Sequence, residues 1–222
     1  MLLPKFCKVF PLFFLILSLL ILVSCSSRSI KSYIEEADVL MAANKKQEAI
    51  ILYQKAIKEN PDEPVLYINQ AAILRNTKKY PIAIRNYNIL LKLNPKIIWA
   101  YTGLVQVFLA QKKYTQTQNV LIQGKQYFPS HGAIDFYQGR LDYELKRGNQ
   151  ALENLNLALD NKYPHLYKVY YYRGMTFQDL LANKERAKLD FESFLLSDPK
   201  NATMIKDVKN RLSLFDDSLY DF

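Results

Sequence analysis

Few residues in this 222-residue chain could carry covalent or metal chemistry. There are two histidines, His131 and His165, and two cysteines, Cys7 and Cys25. No HExxH or CxxC sets two metal ligands on one face, and no GxGxxG or GxxxxGK[ST] offers a phosphate-cradling loop. A triad or a His-based metal site would have to use one lone histidine, and both read more simply as solvated turn residues. Most Asp and Glu fall where helix surfaces are expected. We therefore expect no enzyme, no cofactor, no metal and no small-molecule substrate. The recognition chemistry is richer: aromatic residues interleaved with arginine, and lysine pairs at a fixed spacing.

That spacing belongs to the whole chain. Pro61, Pro95 and Pro129 lie 34 residues apart, and 12 residues before each stand Ala49, Ala83 and Thr117. Tyr53, Tyr87 and Leu121 keep the same beat. A period of 34 with helix-type apolar spacing describes a helix–turn–helix unit that must stack on its neighbours to bury its apolar face. Proline closes each unit because it lacks the N–H and clashes with the preceding turn.

These residues resemble the tetratricopeptide repeat (TPR). The resemblance implies an all-α, TPR-type helix–turn–helix solenoid of about five repeats with a C-terminal capping helix. In that pattern small residues stand where the two helices of a unit, A and B, cross. Repeat 1 has Ala37 and Ala49 there, and repeat 2 has Ala71 and Ala83. Repeat 3 departs with Val105 and Thr117, which suggests a wider crossing. Repeat 4 keeps Gly139 and Ala151, but Asp135 and Asp142 occupy places that should be apolar. Either its first helix is rotated or the frame slips. Repeat 5 fits with its first helix displaced by one, placing Tyr170, Gly174, Phe177 and Leu181 on one face and implying one extra turn residue. Asn201 can cap a last helix striped by Ile205, Val208, Leu212 and Phe215.

The N-terminus reads as an address. Lys5 and Lys8 precede an apolar run over 12–23, too short to span a bilayer. Leu22-Val23-Ser24-Cys25 then resembles the bacterial lipobox, which implies cleavage before Cys25 and acylation (palmitate) of its thiol. The alternatives are an ordinary secretory signal or an uncleaved anchor. The expected organisation is a signal peptide over 1–24, a lipidated cysteine and tether over 25–29, repeats over 30–199, and a capping helix and tail over 200–222. Residues 26–29 reach roughly 15 Å at most, which would hold the domain near its membrane. Ser26 is not Asp, so the outer membrane is favoured if the cell has two.

Charge is unevenly spread. The formal net charge is +9, and between Pro64 and Ile134 there is no Asp or Glu. Such asymmetry suggests an anionic partner or surface. Two binding surfaces follow from the repeat resemblance. The first is the concave groove lined by the A helices, with Asn69, Arg75, Thr102, Gln106, Phe136, Arg140, Tyr143, Tyr171 and Tyr172. Some of these tyrosines could instead be core between repeats. The carboxylate clamp of chaperone-tail TPRs is not expected, since only Asn69 matches it and Ile34 and Asp38 occupy its first places. The second is a basic rim of Lys78, Lys79, Lys112, Lys113, Lys146 and Arg147, one pair per A–B turn. These could meet anionic lipid or an acidic polymer, or could merely be soluble turn residues. The whole reading is a non-catalytic, membrane-anchored scaffold for an envelope protein or peptide, resembling bacterial TPR lipoproteins. The alternative is a peripheral binder acting through the rim. Nucleic acid is not an expected partner.

Overall fold

The computed structural model describes residues 28–216. The expected signal peptide, Cys25 and the end of the tail lie outside them. The described residues form eleven α-helices and no strand. The A helices are α1 (Ile30–Ala42), α3 (Pro64–Asn76), α5 (Ile98–Ala110), α7 (Gly132–Glu144) and α9 (Leu166–Asp179). The B helices are α2 (Lys46–Glu59), α4 (Tyr80–Leu93), α6 (Tyr114–Tyr127), α8 (Gly148–Asp160) and α10 (Lys184–Leu196), followed by α11 (Ala202–Asp216). The fold is the all-α TPR fold.

The chain divides into two compact units, residues 1–66 and 67–222. In the first, α1 packs on α2. Ala37 and Ala49 are wholly buried, and Tyr33 Oη donates to Glu59 Oε2 at 2.7 Å. In the second, each helix from α4 to α11 packs on the next, and α7 also touches α5 and α9. Successive A helices therefore lie side by side there, with the B helices behind them.

The A–B turns repeat one backbone device. Asn44, Lys78, Lys112 and Lys146 have φ of 58°, 60°, 55° and 61°. The next residue donates its N–H back to the carbonyl five positions earlier, at 2.8 Å in each case: Lys45 to Leu40, Lys79 to Leu74, Lys113 to Phe108, Arg147 to Asp142. This left-handed cap satisfies the last carbonyls of each A helix. It usually takes glycine or asparagine, because a Cβ is disfavoured at positive φ.

The helix crossings rest on small residues. A Cβ at Gly139 would lie 2.7 Å from Leu155 Cγ, and one at Gly174 would lie 2.7 Å from the Phe191 ring. Val105 and Thr117 fill the same places in repeat 3, both wholly buried, and Thr117 Oγ1 donates to the Lys113 carbonyl at 2.9 Å. Gly174 holds the crossing place one residue late, as repeat 5 required. The extra residues are visible: 161–165 link α8 to α9 where 94–97 and 128–131 link earlier pairs, and 180–183 link α9 to α10 where three residues suffice elsewhere. Tyr163 in the longer link is buried and stacks on Phe136, ring centroids 4.6 Å apart.

Repeat 4 corrects both alternatives offered for its aspartates. Helix α7 starts in frame at Gly132, 34 residues after α5, and is not rotated. Asp135 and Asp142 lie in the interior, 2% and 3% exposed. Asn161 Nδ2 donates to Asp135 at 2.7 Å; Gln138 Nε2 and Asn154 Nδ2 donate to Asp142 at 3.1 and 3.0 Å. Lys125 and Arg147 approach the two carboxylates at 4.0 and 3.7 Å. A buried carboxylate is tolerated when such donors replace its water.

Asn201 caps α11, its Oδ1 accepting from Met204 N at 3.1 Å. Val208 and Phe215 close over Phe191 and Phe194 of α10, which covers the exposed face of the last repeat. Burying such a ring contributes about 1.5–3 kcal/mol.

Candidate functional site

Residues 2, 5, 9 and 12 of each A helix are spaced by three or four and so share one face. In the second unit this stripe collects Ile68, Ala72 and Arg75; Trp99, Thr102, Gln106 and Leu109; Ala133, Phe136, Arg140 and Tyr143; and, one residue later in frame, Lys168, Tyr171, Met175 and Gln178. It contains three cations and no Asp or Glu.

Not all of these side chains reach solvent. Phe136 is 1% exposed and packs between Tyr163 and Tyr172, so it is core and not groove surface. Thr102 is also buried, with its hydroxyl turned back on the Ile98 carbonyl at 3.2 Å. Tyr143 is buried and its Oη donates to Asp179 Oδ2 at 2.7 Å. Tyr171 is half-buried, its ring 5.9 Å from Phe194 and its Oη 2.8 Å from Asp207 Oδ2. Both tyrosines act mainly as struts. Arg211 of α11 completes the network, donating to Asp179 at 2.8 Å and to Asp207 at 3.0 Å. Asn69, Arg75, Gln106, Arg140 and Tyr172 are partly exposed, and Trp99 at the head of α5 is 63% exposed.

Arg140 and the aromatic residues do converge. The Arg140 guanidinium lies over the Tyr172 ring, 5.2 Å from its centroid. Tyr172 in turn meets Tyr143 at 6.0 Å and Tyr171 at 5.3 Å. Burial pushes Tyr137 up to about 12, a rise that the charges of Arg140 and Arg75 hold back. Burial pushes the Lys168 ammonium down, and Arg140 and Arg75 push it further. Arg75, Arg140 and Lys168 therefore share one positive field, although they belong to α3, α7 and α9. Asn69 and Gln106 lie on α3 and α5 and are partly exposed.

The rim is less uniform than its sequence. Lys78, Lys112, Lys113, Lys146 and Arg147 are exposed, and Lys79 is partly covered. In repeat 4 the pair is engaged: Lys146 Nζ lies 5.3 Å from the Tyr143 ring centroid, and Arg147 faces Asp142.

Sequence reasoning missed a third feature. A cleft of about 710 Å³ opens beside α6 and α8, lined among others by Tyr114, Gln118, Gln138, Asp142, Asn154 and Arg147. Gln118 and Gln138 exchange amide bonds at 3.1 and 3.3 Å across it. Only the odd aspartate at 142 hinted at a polar interior. The histidines are structural in different ways. His131 Nδ1 accepts from Ala133 N at 3.2 Å and caps α7, while His165 lies between Tyr163 and Tyr167. Among the described residues no group of three or more His, Cys, Asp or Glu is placed to hold a metal.

Residues 52–85 match the tetratricopeptide repeat family. Among solved structures, the chain is similar to a thermophilic TPR protein of Thermus thermophilus, with 17% identity, TM-score 0.70, and 83% of this chain and 99% of that one covered. A tetratricopeptide repeat protein from Parabacteroides merdae gives 17% identity and TM-score 0.69, covering 86% of this chain and 73% of that one. YrrB, described as a TPR protein with an unusual peptide-binding site, gives 16% identity and TM-score 0.52 over 80% and 90%. At these identities the likeness speaks for the fold.

Proposed function

We propose that this chain, which has the TPR fold, is a non-catalytic scaffold that binds an envelope protein or peptide along its A-helix face during assembly of an envelope complex. The observation that carries this is the stripe itself. From Ile68 to Gln178 it combines an exposed Trp99 with Arg75, Arg140 and Lys168 and contains no carboxylate. Aromatic and arginine side chains are the groups that contribute most at protein interfaces. The peptide-binding site named for YrrB supports the same reading.

The scaffold is anchored to its membrane, the outer one where there are two, by acylation of Cys25. The support is the Leu22-Val23-Ser24-Cys25 box. Mass spectrometry of the native membrane protein should find a lipid-modified Cys25 at the new N-terminus. An unmodified Cys25 would refute the anchor and leave the binding face untouched.

A second reading has its own support. Lys78, Lys112 and Lys146 all occupy positive-φ positions, where lysine is disfavoured, so the rim keeps cations at some conformational cost. A peripheral binder of anionic lipid or acidic polymer would use them. Ionic strength separates the two readings. Reversing Lys78, Lys79, Lys112 and Lys113 to Glu should only slow partner association, because exposed charges mainly steer encounter. Arg140→Glu should abolish capture. A dead rim variant beside a normal Arg140→Glu variant would favour the second reading.

A further inference from the structure

Cations that serve the fold of the second unit have anionic partners. Arg173 grips Asp190 with two bonds of 2.6 and 2.8 Å, Arg211 joins Asp179 to Asp207, and Arg147 and Lys125 face Asp142 and Asp135. Arg75, Arg140 and Lys168 differ. None has an ion pair among the described residues. Arg75 spends Nε and an Nη on the neutral Oδ1 of Asn76, both at 3.3 Å. Lys168 Nζ finds only the Tyr167 ring, 5.7 Å from its centroid. Arg140 stacks on Tyr172 and keeps a buried Nε–H that meets no acceptor. Glu144, one turn further along α7, accepts from Tyr114 Oη at 3.4 Å and is not paired with Arg140.

This is a costly arrangement for a free protein. A buried guanidinium N–H without an acceptor keeps its desolvation penalty, and three like charges in one field repel. Burial lowers the Lys168 ammonium most, and the charges of Arg140 and Arg75 lower it further. An incoming carboxylate would relieve both, since its two oxygens suit the guanidinium fork and its charge offsets the cluster. The wall beside it, the partly exposed Tyr172 ring, is aromatic and suited to apolar neighbours of that carboxylate.

We propose that Arg75, Arg140 and Lys168 form the binding site for a carboxylate of an acidic peptide segment laid along the A-helix face. The residues differ from those of the chaperone-tail clamp, since they sit on α3, α7 and α9 and skip α5. This inference rests on the binding face proposed above and names the chemistry of its ligand. The carboxylate can come from an Asp or Glu side chain or from a chain terminus.

Arrays of short random peptides, one set ending in a free carboxylate and one in a carboxamide, test it on the full-length protein. Binders should be enriched in Asp and Glu. Recovery from both sets assigns the carboxylate to a side chain, and recovery from the free-acid set alone assigns it to the terminus. Selected peptides should bind at least about tenfold more weakly to Arg140→Gln and to Lys168→Met, each with unchanged circular dichroism, because a close charge pair is lost. A third variant, Arg75→Gln, stands in if Arg140→Gln misfolds. Binders without acidic enrichment, or acidic binders indifferent to these substitutions, would overturn the inference and leave the binding face standing. An array with no binder at all would remove both.

Discussion

Asn161 Nδ2 donates a 2.7 Å hydrogen bond to Oδ2 of Asp135, where repeats 1 to 3 carry Tyr33, Tyr67 and Tyr101. The same two places in repeat 1 hold Tyr33 and Glu59, with the donor on the other side. The contact across the repeat is kept while its polarity is exchanged. Asn161→Ala should therefore destabilise by about 1–3 kcal/mol, the cost of a buried carboxylate short of a donor. Chemical denaturation measures this, and an unchanged midpoint would show that Lys125 alone satisfies Asp135.

The crossings should punish added volume. Gly→Ala in an open helix gains up to about 1 kcal/mol. At Gly139 the new Cβ would also lie 3.1 Å from the Ala151 carbonyl oxygen, which cannot swing aside. Gly139→Ala should lose about 1–2 kcal/mol net. Ala83→Leu, at a wholly buried crossing, should lose about 1–3 kcal/mol. Melting temperatures check both, and a stabilised Gly139→Ala would show that α7 and α8 can separate freely.

The struts to α11 are exposed enough that solvent weakens them. Arg211→Met should cost only about 1 kcal/mol globally, in the range of partly exposed ion pairs. Its effect should be local. Amide exchange should quicken in α11, which is held by the Arg211–Asp179 pair, the Tyr171–Asp207 bond and the Phe191–Phe215 stack, and stay unchanged in α5 and α6.

Alkaline pH should unfold this protein steeply. Burial raises Tyr137, Tyr143, Tyr163, Tyr171 and Tyr172, and the bonds to Asp179 and Asp207 raise Tyr143 and Tyr171 further. The folded chain thus keeps protons that the unfolded chain releases near pH 10. That stability is fully present below about pH 10 and is lost as pH rises through the folded values. Lys168 has the opposite sign, since the folded chain releases its proton first, but it is one group against five. Tyrosinate absorbance should rise at higher pH in the native protein than in denaturant. Superimposable titrations would contradict the burial described here.

Legibility varied with how local the cause was. The prolines, the small crossing residues and the displaced first helix of repeat 5 are set by spacing along the chain, so they could be read directly. The buried aspartates could not, because their donors lie 26 residues away at Asn161 and 12 away at Asn154. A carboxylate in an apolar frame looks like a register error until its partners are known. The A-helix stripe was legible as a set, and Arg140 was placed among its aromatic neighbours. Phe136 and Thr102 were placed on the surface and are buried, because repeat position fixes a face but not the depth at which a side chain stops; Tyr143 follows the alternative reading of these tyrosines as core between repeats. Repeat position also puts Lys168 on that face, but only the fold brings it under the charges of Arg75 and Arg140.

The central claim is that the A-helix face, and not the lysine rim, meets the partner. A photocrosslinking residue placed at Trp99, at Gln106 or at Lys112 of the full-length protein in its native cell tests it most directly. The account predicts discrete protein adducts from positions 99 and 106, lost when Arg140→Glu is added, and none from position 112. Adducts from position 112 alone, insensitive to Arg140→Glu, would contradict it.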